Sequence, residues 1–100
     1  MNELKIQVPR QKLEAFCKKN HIRKLAFFGS VLREDFKPDS DIDVLVEFER
    51  GRTPGLAFFS MQNELSEILG RKVDLNTPGF LSKYFREQVM REAKVQYVKA

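Results

Sequence analysis

One hundred residues, 42% hydrophobic and 32% charged, suffice for a single domain over 1–100 and exclude two. One cysteine and one histidine exclude a disulfide framework and argue against a zinc site. No stretch approaches the roughly 20 apolar residues that span a bilayer, and MNELKIQVPRQK lacks a secretory core, so a cytoplasmic protein without membrane contact is expected.

Pro9 followed by Arg10 to Lys19 reads as a first helix, with Asn20 as its stop and Cys17 as a small buried residue. His21 then falls at the helix end as a capping or surface residue. Ile22 to Phe28 has strand composition and closes on Gly29, its run Leu25-Ala26-Phe27-Phe28 suiting a strand covered on both faces. Ser30 to Arg33 can begin a helical turn, and Glu34 to Ser40 carries turn chemistry. Ile42 to Phe48 is a second strand. Leu56 to Leu69 repeats apolar residues near the helical period, with Phe58, Phe59 and Met61 read as core and Gly70 as C-cap. Lys72 to Leu75 is a third strand stopped by Asn76-Thr77-Pro78-Gly79. Ser82 caps a last helix, and Val95 to Val98 is open between a strand and a frayed tail. The order predicts an α/β (α+β) fold, helices packed on a sheet.

Chemistry concentrates in the second strand. Asp41 and Asp43 stand two residues apart, so a strand sends both carboxylates to one face. Crowded like charges repel, and a cation between them removes the conflict; hard oxygen donors suit magnesium with phosphate oxygens. Asp74 interrupts the third strand and can join them if the two strands are neighbours. It would then serve a second metal or act as base toward an incoming hydroxyl. Gly29 lets backbone amides approach a phosphate, Ser30 adds a hydroxyl, and Arg33 can reach the same phosphates. Ser40 either donates to the ligand or orders the turn.

Phe28-Gly29-Ser30 with Arg33, then Ser40-Asp41-Ile42-Asp43-Val44-Leu45-Val46, then Val73-Asp74-Leu75, resembles the signature of the DNA polymerase β-like nucleotidyltransferase superfamily. The small size is similar to its minimal branch, the MNT or MntA-like antitoxins. The resemblance implies a mixed β-sheet flanked by helices and transfer of a nucleoside monophosphate to a hydroxyl. Gly29 and Ser30 would bind phosphate, Asp41 and Asp43 would bind Mg2+, and Asp74 would complete the catalytic triad. It further implies ATP as substrate and a HEPN-domain ribonuclease toxin as partner, silenced by adenylylation of a tyrosine. Glu34 departs from the Arg-Gly of many relatives and adds negative charge, with Asp35, beside a triphosphate site.

The rival reading is an idle module that neutralises its partner by contact alone. A third reading, a transferase for antibiotics or tRNA, is less expected because 100 residues leave no second substrate domain. The net charge of +4 is scattered without basic runs, which suits phosphates or an acidic protein; direct nucleic-acid binding is not expected.

Overall fold

The stripe Leu13, Phe16 and Cys17 winds Arg10–Lys19 into helix α1, in a computed structural model that describes residues 6–33, 37 and 39–100. Asn20 ends α1 by donating its side-chain amide to the Phe16 carbonyl at 2.9 Å. His21, at φ 57, then turns the chain in the left-handed region and stays on the surface, 3.9 Å from the Glu49 carboxylate. Strand β1 follows at Ile22–Phe28, a short 3-10 turn at Gly29–Leu32, and strand β2 at Ile42–Phe48. Glu34 and Asp35, and with them part of the turn expected over 34–40, lie outside the described residues.

Helix α2 spans Ala57–Leu69 and closes on Gly70, whose φ of 69 is the left-handed cap that its lack of a side chain permits. Strand β3 is Val73–Asn76, and Ser82 caps helix α3, Lys83–Glu92, accepting from the Tyr84 amide. The final segment is a strand, β4 at Lys94–Val98, paired antiparallel to β1. Composition left this segment undecided because its apolar residues alternate over only a few positions; pairing with β1 decides it.

The sheet runs β3-β2-β1-β4. Strands β1 and β2 are antiparallel, whereas β2 and β3 are parallel and joined through α2, as a parallel pair requires a crossover. Alternation sends Ile42, Val44, Val46, Leu25, Phe27, Val73 and Leu75 to one face, where they form one core with Leu13, Phe16, Met61 and Leu65 of α1 and α2. Ala26 and Leu45, at the alternate positions, are buried apart from that cluster, as is Leu81.

One expectation fails. Phe58 and Met61 are core, but Phe59 is 64% exposed. On a helix the buried stripe is Phe58, Met61, Leu65 and Leu69, and the residue after Phe58 is turned about 100° off it.

The flank of β3 away from β2 is held by α2. The Leu75 amide donates to Gln62 Oε1 at 2.9 Å, and the Val73 amide donates to Ser66 Oγ at 3.0 Å. These bonds satisfy the strand's outward donors and anchor the residues flanking Asp74. Gln62→Ala should lower stability by about 1 kcal/mol in denaturant unfolding and speed amide exchange at Leu75 relative to Leu65. Unchanged exchange at Leu75 would show that α2 does not hold this strand.

Candidate active site

The register of the parallel pair places Asp43 opposite Asp74. Two residues in register share a face, so both carboxylates project from the side of the sheet opposite the α1/α2 core. On its other side Asp43 is paired with Phe28, the last residue of β1. The chain leaves the sheet there through Gly29, so the Gly29-Ser30 turn lies against Asp43.

Gly29 is shaped for that neighbour. Its φ of +74 is a conformation that side chains resist, and a Cβ built on it would collide with Oδ2 of Asp43. The glycine therefore makes room for a carboxylate, a role beyond the phosphate approach expected of it. Ser30 reaches toward the same segment, its hydroxyl directed at the Asp41 carbonyl at 3.5 Å. Asp41 itself is exposed, just before β2.

Burial pushes the Asp43 carboxyl above its ordinary range, and the neighbouring charges of Asp74 and then Asp41 push it further; Arg33 pulls in the opposite direction. Four of the expected residues are thus electrostatically in touch. The sign has a consequence for the fold. A folded-state value above the unfolded one means that protonation stabilises, so the benefit is present at low pH and lost as the pH rises through the raised value. Above that value the ionised Asp43 is held beside Asp74 and Asp41 at a cost.

Ser40 orders the turn, the Lys37 amide donating to its hydroxyl at 3.1 Å, which leaves the hydroxyl proton to donate elsewhere. Arg71, which no pattern in the sequence singles out, donates to the Lys37 carbonyl at 3.1 Å, and the Ile42 amide donates to the Lys72 carbonyl at 2.9 Å. The segment after α2 thereby steadies the entry to β2. A single arginine beyond a helix cap carries no periodic or motif signal, which is why only the coordinates reveal it.

The donor set fits a divalent cation shared with a nucleotide. Among the described residues no three His, Cys, Asp or Glu side chains close a metal cage by themselves. A pair of carboxylates completed by phosphate oxygens and water is the arrangement magnesium accepts. Among the described residues, no helix is long and apolar enough to cross a membrane.

Comparison with known proteins agrees with this geometry. The model of the family described as the nucleotidyltransferase domain matches residues 9–95. The protein adenylyltransferase MntA of Thermococcus cleftensis is 38% identical over 72 residues, 71% of each chain. A candidate protein adenylyltransferase of Methanocaldococcus jannaschii is 32% identical over 93 residues, 93% of this chain and 94% of its own. A solved candidate minimal nucleotidyltransferase has 38% identity and a TM-score of 0.69, with 84% of this chain and 85% of that one covered. A chain from a toxin–antitoxin crystal structure with AMP-PNP shares the fold at 21% identity, with a TM-score of 0.73 over 92% of this chain and 75% of that one.

Fold and match together define a nucleotide-transferring enzyme on a four-stranded mixed sheet. The chain belongs to the nucleotidyltransferase domain family, among the minimal nucleotidyltransferases. The polymerase β-like α+β fold implied by the resemblance is the one present.

Two glycines test the geometry against each other. Gly29 and Gly51 share a left-handed φ, +74 and +76, but nothing lies within 4 Å of a Cβ on Gly51. Gly51→Ala should cost about 1–2 kcal/mol of stability and leave nucleotidyl transfer unchanged. Gly29→Ala should in addition displace the Asp43 carboxylate and lower transfer by about 100-fold. Equal activity in the two variants, measured on folded protein, would contradict the cradle.

Proposed function

We propose that this nucleotidyltransferase moves AMP from ATP to a tyrosine hydroxyl of a HEPN-type ribonuclease toxin, and so acts as the antitoxin of a pair. The observation that carries the reading is Asp43 set in register with Asp74 and lifted in pKa by Asp74 and Asp41. Support for the acceptor comes from relatives: one similar protein is named a protein adenylyltransferase, MntA. One structural neighbour is a chain from the structure of a tri-AMPylated Shewanella oneidensis HEPN toxin in complex with an MNT antitoxin, and another is a chain from a toxin–antitoxin structure with AMP-PNP.

In this reading Asp41 and Asp43 would hold Mg2+. The bound ion would supply charge neutralisation on the phosphates and polarise the phosphorus under attack. Gly29 and Ser30 present the 3-10 turn to phosphate oxygens, and Arg33 adds a positive charge on the same side. The acceptor oxygen attacks the α-phosphorus, the bond to pyrophosphate breaks, and the hydroxyl proton leaves. Asp74 either receives that proton or completes the metal set. A pH–rate profile of Asp74→Asn separates the two roles, because only a base shifts the acid limb. Cytoplasmic residence accompanies this reading, since an intracellular toxin and ATP are its two substrates.

The decisive experiment supplies labelled ATP, Mg2+ and a HEPN-domain protein of the same genome. Intact protein should label the acceptor, and Asp41→Ala/Asp43→Ala should lower transfer by about 100-fold or more. Equal neutralisation of the toxin by both versions without label would replace catalysis by binding alone.

A further inference from the structure

An aromatic ridge stands at the end of the sheet away from the carboxylates. Phe58 is the hub: its ring lies 6.5 Å from Phe48, 6.3 Å from Phe59 and 5.4 Å from Phe80, all edge to face. The hub is buried, yet Phe59 and Phe80 are 64% and 68% exposed, and Leu56 at the start of α2 is 86% exposed. Nearby α3 has no buried residue at all, and its Tyr84 stands almost fully in solvent. Scattered apolar residues on a surface need no explanation, but a contiguous group rooted in the core by ring contacts marks a binding surface. Exposed aromatic anchors of this kind dominate protein interfaces.

Charge indicates what covers it. The loop leading into α2 carries the exposed Arg50 and Arg52, and Lys83 follows Phe80. No acidic residue lies in the first turn of α2 or α3. Glu49, at the start of that loop, is already engaged by Lys99 at 2.8 Å. An apolar centre with basic residues on the segments beside it favours a partner rimmed by carboxylates. A second copy of this chain would instead bring the two sets of basic residues together.

We propose that the Leu56–Phe59–Phe80 ridge is the docking surface for the protein acceptor, which meets it with an apolar depression rimmed by Asp and Glu. The proposal rests on the reading that a protein is adenylylated, and adds where that protein is gripped. The five steps from Asp43 to Phe48, the strand residue that meets the Phe58 ring, put about 16 Å of β2 between the carboxylates and the root of the ridge. Docking and chemistry are therefore separable. The ridge is rooted on the α1/α2 side through Phe48 and Phe58 and the carboxylates project from the other, so an acceptor held there reaches the nucleotide around the end of the sheet.

The test uses the full chain and a HEPN-domain protein of the same genome, with calorimetric binding and label transfer read separately. Phe59→Ser/Phe80→Ser removes exposed rings and leaves the Phe58 core; circular dichroism confirms that it folds. It should weaken binding and raise the KM for the protein acceptor by at least about tenfold, with kcat and the KM for ATP unchanged. Arg50→Glu/Lys83→Glu should do the same and flatten the salt dependence of binding. Loss of binding without label transfer even from intact protein would keep the docking surface and discard the AMP-transfer reading. Unchanged binding in both variants overturns the docking surface while leaving catalysis standing. Failure of the intact chain to bind the HEPN protein overturns it too, as does sedimentation showing self-association abolished by Phe59→Ser/Phe80→Ser.

Discussion

Two carboxylates, Asp43 and Asp74, share one face of a small sheet with the charge of Asp41 beside them, and the rest of the structure is arranged to keep them there. Asp43 is half-buried, opposite Asp74 and close to Asp41, and each of these circumstances makes its ionised form harder to hold. A protein selected only for stability gains nothing from this arrangement, because replacing any one of the three would relieve repulsion. The crowding makes sense when a cation and a triphosphate are present to absorb the charge. Structure and chemistry meet at that compromise.

Each neighbouring element contributes to holding the compromise in place. The parallel pairing of β2 with β3, imposed by the α2 crossover, brings Asp74 into register with Asp43. Gln62 and Ser66 of α2 grip the amides on either side of Asp74. Gly29 leaves space for Asp43 where any side chain would displace it. On the opposite face Val44 and Val46 are fully buried beneath the helices, so β2 cannot slip by one residue without exposing its core and burying its acids. Core packing and site geometry thus reinforce one another through the same strand.

Much of this was legible in the sequence. The period-2 alternation of Ile42, Val44 and Val46 against Asp43 announced the strand and the face that Asp43 takes, because alternation is a local property; Asp41 falls just before the strand. The cap residues Asn20, Gly70 and Ser82 were equally readable, since each acts within a turn of its own helix. Long-range facts were not. Pairing of Asp74 with Asp43 could be stated only as a condition on strand order, and the place of β4 depended on β1, some 70 residues earlier by the approximate chain separation of their register. The fit of Gly29 to a carboxylate required coordinates, as did the tether from Arg71 to Lys37. Phe59 was misplaced because apolar type outweighed angular position; exposure at a surface ridge is invisible to composition.

The central claim, that the carboxylates of β2 and β3 form one electrostatic unit completed by a cation, can be measured at a single group. The titration of the Asp43 side-chain carboxyl, followed by carbon NMR, should lie above the ordinary carboxylate range in metal-free protein. It should fall on adding Mg2+ with a nonhydrolysable ATP analogue, and should also fall in Asp74→Asn, where one of the two repelling charges is gone. A carboxyl that titrates at its ordinary value, unmoved by either change, would contradict the account.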